Sequence, residues 1–407
     1  MTVQALDARL GSDCAGRAGQ APAAHWGAVL AMTLCVFTLI ASEFMPVSLL
    51  TPIAADLSVS EGRVGQGIAI SGAFAVLMSL FVAKLAGDMN RRTLLLGLTG
   101  LMAISGAMVA LAPNYGVYML GRALIGVVVG GFWSLSAATA MRLVPAHQVP
   151  RAMAIFNGGN ALAAVVAAPL GSYLGSIIGW RGAFFALVPV ALIALVWQWI
   201  SLPSMPAQPR RPDAGNAVQL LKHRAVALGM LAVGMFFMGQ FTLFTYLRPF
   251  LETVTNVDVA TLSLMLLTLG IAGLVGTTLI GRLLKWNFYS TLTAIPILMA
   301  LIALALTVLG SKAAAVAALL GLWGLVATAA PVGWWAWLAR TLPRDAEAGG
   351  GLMVAVVQLA IALGSTVGGL LFDASGYQGA FAASAGMLLV ASLVTLWTAR
   401  SQASQAA

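Results

Sequence analysis

Charge is what this chain has least of. Asp, Glu, Lys and Arg make up 8% of its 407 residues, where about 25% is usual for a soluble domain. Hydrophobic residues make up 60%, and the mean hydropathy is +0.96. That balance excludes an ordinary soluble domain. Cysteine is nearly absent: Cys14 lies in a polar N-terminal stretch and Cys35 in an apolar run, so no disulfide framework is implied. The histidines, His25, His147 and His223, fall outside the long apolar runs. No run carries metal-ligand spacing or a carboxylate cluster, so no metal and no catalytic residue is expected and a membrane enzyme is disfavoured. The absence of a G-x-x-x-x-G-K-[ST] sequence removes the usual sign of an ATP-driven pump.

What the chain does have is apolar length. Runs at about 26–50, 64–86, 93–112, 116–140, 151–174, 181–200, 226–250, 259–283, 289–309, 313–338, 349–372 and 378–399 are each long enough to cross a hydrocarbon core of ~30 Å as helix. They lack the alternation of barrel strands, and backbone groups in lipid must be satisfied within the segment. The sequence therefore predicts an all-α membrane protein of twelve transmembrane helices. The expected organisation is a disordered tail (1–24), a six-helix bundle (25–200), a Pro-rich basic linker (201–225), a second six-helix bundle (226–400) and a short tail (401–407). Residues 1–24 lack the basic start and apolar core of a signal peptide.

The net charge of +9 is unevenly placed. With an even number of spans both termini share a face. That face holds most of the cations, from Arg9 and Arg17 through Arg91, Arg92, Arg142, Arg151, Arg210 and Arg211 to Arg400. The other face holds Arg63, Arg181, Arg248 and Lys312. The bias predicts cytoplasmic termini and explains the basic balance without a nucleic-acid partner.

The two halves look like copies. A shift of 197 positions places Gly171, Leu174, Gly179, Gly182, Ala183 and Phe184 on Gly368, Leu371, Gly376, Gly379, Ala380 and Phe381, and Phe44, Leu50 and Pro52 on Phe241, Leu247 and Pro249. Parallel repeats with a substrate site between them near mid-membrane mark one large class of transporter. Under the same shift Glu43 falls on the neutral Gln240.

Glu43 is the carboxylate that lies inside a membrane-length run. A charge at such depth costs roughly 3 kcal/mol on insertion scales, which makes the position a candidate functional site. Arg122 is the matching cation, well inside the fourth run. Each lies six or seven residues from the face opposite the termini, about 10 Å deep at 1.5 Å per residue. A salt bridge or hydrogen-bonded pair is geometrically open to them if the first and fourth spans are adjacent. Burial favours a protonated carboxyl and a nearby guanidinium favours the carboxylate, so such a pair can load and release a proton. The bland alternative is a static pair that holds two helices together.

The segment LGRALIG, Leu120 to Gly126, resembles the fourth-span motif of the major facilitator superfamily, and the chain is similar to its twelve-span drug:H⁺ antiporter group over about 26–400. In that group the motif's Arg, here Arg122, is associated with proton transfer. The loop after the second span resembles the motif G-x-x-x-D-x-x-G-R-R at Arg91 and Arg92, with Asp88 one place late; the implied role is a gating loop, the alternative a basic pair facing anionic lipid. Ala168-Pro169 with Gly171 and Gly175 stands where the group has a fifth-span Gly-Pro, or serves close helix packing. SEFMPVSLLTPIAADL, GGFWSLSAATAMRLVP, AAPLGSYLGSIIGWRGAF, FTYLRPFL and PVGWWAWLART resemble bacterial exporters of purine ribonucleosides within the superfamily.

The resemblance implies a proton-coupled antiporter of the bacterial inner membrane that exports purine ribonucleosides. It would work as a monomer, with small-molecule substrate, protons and lipid as its partners and a proton gradient in place of any cofactor. The alternative is a multidrug or sugar exporter on the same fold. A purine needs an apolar face and neutral polar edges. Phe44, Trp133, Gln240, Phe241, Phe244, Tyr246 and Gln358 are the candidate substrate residues, with Phe132, Ser134, Thr245, Trp334, Trp335 and Trp337 as further possibilities; the competing role for the aromatic members is packing or interfacial anchoring.

Overall fold

A computed structural model describes residues 24–87, 89–206, 217–342 and 346–406. Its α-helices are α1 (Trp26–Leu57), α2 (Glu61–Ala86), α3 (Arg91–Ala110), α4 (Tyr115–Leu143), α5 (Val149–Phe185), α6 (Leu187–Ser201), α7 (Arg224–Phe244), α8 (Leu247–Thr253), α9 (Val259–Trp286), α10 (Phe288–Leu309), α11 (Ala313–Ala327), α12 (Ala330–Thr341) and α13 (Ala346–Ala406). No strand occurs among the described residues. Short polar residues mark where helices restart. Ser60, Asn90, Asn114, Asp258 and Asn287 each accept a backbone N–H from the first turn that follows and so satisfy a donor the helix leaves free.

Among the described residues, ten segments are long and apolar enough to cross a membrane. Two of them, Arg151–Ser201 and Ala348–Gln402, run 51 and 55 residues, and each would measure roughly 80 Å if straight. Both are broken at a glycine. Gly179 has φ 73° and Gly376 has φ 69°, a left-handed conformation that a side chain disfavours. The two are partners under the shift of 197 positions. The sequence places short connections near these points; the backbone instead turns within a nearly continuous helical path, because one glycine supplies the change of direction. The expected tail from residue 401 is also helical to Ala406. It is anchored by Gln402, which accepts from Tyr289 Oη and donates to Thr341 Oγ1 at 2.9 Å.

Two apolar cores gather residues of α1–α6, one of them taking in Tyr246, and a third gathers α7 to α13 with Ala168 of α5. Large apolar side chains also cover the outside, among them Trp286 at 90% and Val308 at 80% exposed, as a lipid-facing surface requires. Within each half, helices touch through glycine. A Cβ on Gly126 or Gly130 of α4 would strike the Ser71 or Ala75 carbonyl of α2, and one on Gly276 or Gly324 would strike the Leu325 or Leu269 carbonyl where α9 meets α11.

The halves meet where α2 packs on α13, α5 on α9 and α1 on α8. Where α1 ends and α2 begins, Asp373 of α13 accepts Ser60 Oγ at 2.6 Å and the Gly62 N–H at 3.1 Å. Asp373 therefore caps α2 from the other half and closes this end of the molecule.

Candidate functional site

Two prolines organise the site. Pro46 and Pro52 lie inside α1 and have no N–H, so the carbonyls four residues earlier, Ser42 and Ser48, lose their helical partners. An unpaired buried acceptor costs about 1–3 kcal/mol, and lipid offers no water to replace the bond. Each of these carbonyls is taken by a guanidinium. Arg122 of α4, 1% exposed, donates through Nη1 to Ser42 O at 2.8 Å, and Arg248 of α8, 6% exposed, donates through Nη1 to Ser48 O. Arg248 comes from the second half and also bonds Glu252 at 2.8 and 2.7 Å. The sequence places it with the surface cations of one face; it is buried at the seam because the carbonyl freed by Pro52 needs a donor.

Arg122 has two further bonds, from Nη2 to Glu43 O at 3.3 Å and from Nε to Gly67 O at 3.1 Å. Glu43 and Arg122 are thus adjacent, but their link runs through the backbone of α1. The ion pairs among the described residues are Arg181 with Asp56 and Arg248 with Glu252, and no direct salt bridge joins Glu43 to Arg122. The Glu43 side chain, 5% exposed, instead reaches the other half, where Oε1 accepts Gln358 Nε2 of α13 at 3.3 Å.

Beside this bond the halves share an apolar cluster of Val47, Ile68, Phe241 and Ile361, with Phe44, Phe237, Phe244 and Val357 against it. Phe44 stacks on Phe241 with ring centroids 5.9 Å apart, and Phe244 meets Phe241 edge-on at 5.8 Å. Two amide oxygens, Gln240 Oε1 and Gln358 Oε1, are buried without a hydrogen-bond partner. Glu43, Phe44, Phe241, Phe244 and Gln358 therefore gather along one seam, and Gln240 adjoins it as the neighbour of Phe241. The arrangement offers a carboxylate, an aromatic face and unpaired acceptors, groups that suit a flat ligand with polar edges.

Other candidates sit elsewhere. Trp133 is half-buried and packs against the core of the first half. Tyr246 is fully buried, donates to Ser365 O at 2.7 Å and stacks on Phe372 at 5.2 Å, with Gly65 of α2 against its hydroxyl, which commits it to packing between α13 and the first half. Phe132 is fully buried, Trp334 packs edge-on against Trp337 at 5.8 Å, and Trp335 is 47% exposed. Asp88 lies outside the described residues. The backbone N–H of Arg91 donates to Met205 O at 2.9 Å and Arg92 Nη2 to Trp199 O at 2.6 Å, so both tie the start of α3 to the end of α6 and the segment beyond it. Residue type alone gave no reason to single out Arg248 or Asp373. The spacing of Pro52 from Ser48 is the signal that would have exposed the need for Arg248.

Residues 32–349 match the family model described as the Major Facilitator Superfamily. A Pseudomonas aeruginosa protein named transcription regulatory protein OpdE is 68% identical over 381 residues, covering 93% of this chain and 95% of that one. The purine ribonucleoside efflux pump NepI of Salmonella typhimurium is 42% identical over 370 residues, covering 91% of this chain and 93% of the pump. A solved bacterial homologue of the human lysosomal transporter Spinster, inward-facing and unoccupied, has a TM-score of 0.81 at 16% identity over 94% of this chain and 98% of its own. That likeness shows the fold.

Proposed function

This chain belongs to the Major Facilitator Superfamily, and from that premise we propose that it exports purine ribonucleosides, of the inosine and guanosine kind, in exchange for protons. The ten apolar segments, two of them broken at Gly179 and Gly376, correspond to twelve crossings in two halves of six. Both termini face the cytoplasm of a bacterial cell, by the bias of basic residues, and the chain lies in the inner membrane.

The observation that carries the reading is the Glu43 to Gln358 hydrogen bond. It places a carboxylate of the membrane interior on the seam along which the halves must part during alternating access. Glu43 takes a proton from the outer side, the halves rearrange, the proton leaves inward and substrate binds in its turn. Arg122 stays charged and holds the interrupted turn of α1 in place. At 100 mV one charge supplies ~2.3 kcal/mol, which is more than a tenfold concentration ratio at about 1.4 kcal/mol per decade. The 42% identity to a purine ribonucleoside pump supports the cargo, as do the stacked Phe44 and Phe241 and the unpaired amide oxygens.

The test is counterflow in proteoliposomes of the purified chain, with labelled inosine set against a panel of cationic drugs and sugars. Saturable exchange of inosine is the expected result. Exchange of drugs or sugars without inosine would favour the second reading, a multidrug or sugar exporter on the same fold. The name of the 68% identical relative concerns transcription; an exporter influences transcription when its cargo is an effector, so that name is compatible with transport.

A further inference from the structure

Gln358 is bonded at one end and empty at the other. Its Nε2 donates to Glu43 Oε1 at 3.3 Å, while its Oε1 is buried without a partner, on a side chain only 7% exposed. An unpaired acceptor at this depth calls for a donor, and the surroundings allow two: Glu43 itself once protonated, or a bound ligand. Amide and carboxyl chemistry makes these exclusive. An ionised carboxylate only accepts, so it draws the amide N–H and leaves the amide oxygen free; a protonated carboxyl carries an O–H that can donate to that oxygen. Rotation of the terminal amide by half a turn then exchanges its two ends.

We propose that Gln358 is the residue through which proton and substrate exclude one another. While Glu43 is ionised, the Gln358 oxygen is presented to an N–H on the edge of the substrate. When a proton from the aqueous side adds to the Glu43 carboxylate, the new O–H engages that oxygen and the amide shows the substrate a donor instead. The ligand class is a 6-oxopurine nucleoside, whose base carries an N–H at position 1, stacked on Phe44 and Phe241. The inference rests on the export reading above and adds the point at which coupling and selectivity meet.

The other charged or titratable groups near Glu43 are few. Arg122 faces it from α4 with its donors on the Ser42, Glu43 and Gly67 carbonyls, and Tyr118 of α4 lies beyond, its hydroxyl close to Gly67. On α8, which packs on α1, Arg248 is held by Ser48 O and Glu252, and on α2, α5, α7 and α13 the charged and titratable residues lie near helix ends or near the breaks at Gly179 and Gly376. Gln358 is therefore placed to sense Glu43 with little competition.

The test is binding of labelled inosine to the full-length chain in lipid nanodiscs from pH 5.5 to 8.5, with a pH-indicator dye reading proton release. The wild type is expected to release a fraction of a proton per inosine that grows as pH falls and approaches one where Glu43 is fully protonated in the free protein, and its Kd is expected to rise about tenfold per unit on that acid side. Gln358→Met is expected to bind more weakly, with a flat pH profile and no proton release, while its melting temperature stays near that of the wild type. Proton release and an unchanged pH slope in Gln358→Met would overturn the inference, leaving Gln358 a simple contact. A second arm uses the unaltered protein with 1-methylinosine, which lacks the N–H. Weaker, pH-independent binding is expected, and a pH profile parallel to that of inosine would overturn the inference without any mutation. Wild-type binding of inosine with no proton released would sink this inference alone; no binding of inosine at all would sink the export reading with it.

Discussion

Pro46 and Arg122 together make one connection that α1 does not make for itself. The proline removes the N–H that would bond Ser42 O, and Arg122 supplies a donor to that carbonyl at 2.8 Å. The same substitution of donors recurs six residues on, where Arg248 takes Ser48 O beneath Pro52. The first arginine belongs to the same half as α1 and the second to the opposite half. One therefore supports the helix, and the other ties the halves together.

Arg122→Leu leaves Ser42 O unpaired and is expected to lower stability by about 1–3 kcal/mol. Pro46→Ala restores the helical donor, so the double variant Pro46→Ala/Arg122→Leu should recover about 1 kcal/mol or more of that loss. Unfolding midpoints of the four proteins in mild detergent form the cycle. Strict additivity would show that the proline and the arginine are not linked.

Arg248→Ala and Pro52→Ala remove the same cross-half tie from opposite sides, one by deleting the donor and the other by returning Ser48 O to its helix. Both are expected to shift the molecule toward opening at the end where α1 meets α2. A cysteine replacing the fully buried Val64, in a background lacking Cys14 and Cys35, reports this by its rate of labelling with a maleimide. Each change should raise the rate several-fold, and the pair should do little more than the larger single effect.

Asp373→Ala removes the cross-half cap on Ser60 and Gly62 and should weaken closure of that end by about 1 kcal/mol. Asp373→Asn keeps an acceptor and should show a smaller effect in the same labelling assay. Equal effects of the two would mean that charge at the start of α2, not hydrogen bonding, does the holding.

The helical class, the membrane setting and most helix bounds are legible in the sequence because apolar length and polar caps such as Asn114 and Asp258 are local signals. Depth counting along the spans brings Glu43 and Arg122 to one level. It does not reveal that Arg122 meets backbone, since a carbonyl freed by Pro46 has no side-chain signature. Gln358 is recognisable as a polar residue in a span, yet its meeting with Glu43 depends on the packing of α13 against the first half, which no local pattern encodes. Gly179 and Gly376 stand out as repeat partners, but only a backbone shows that both turn left-handed.

Phe241→Ala removes the ring between Phe44 and Phe244. If a purine stacks there, the inosine Kd should rise roughly tenfold, since base stacking on an aromatic side chain contributes about 1–3 kcal/mol. Trp133→Phe, against the core of the first half, should leave that constant nearly unchanged. Equilibrium binding of labelled inosine to both variants compares the two sites.

The most direct test of coupling is uphill transport by Glu43→Gln, which keeps a polar group facing Gln358 but exchanges no proton. Proteoliposomes with an acid lumen, given labelled inosine outside, should accumulate it above the external concentration when they hold the wild type. Those holding Glu43→Gln should reach an internal concentration equal to the external one and stop there, with inosine counterflow retained at weaker affinity, because the introduced amide can donate to the Gln358 oxygen. Accumulation by Glu43→Gln to the wild-type level under the same pH gradient would contradict the assignment of the proton to Glu43.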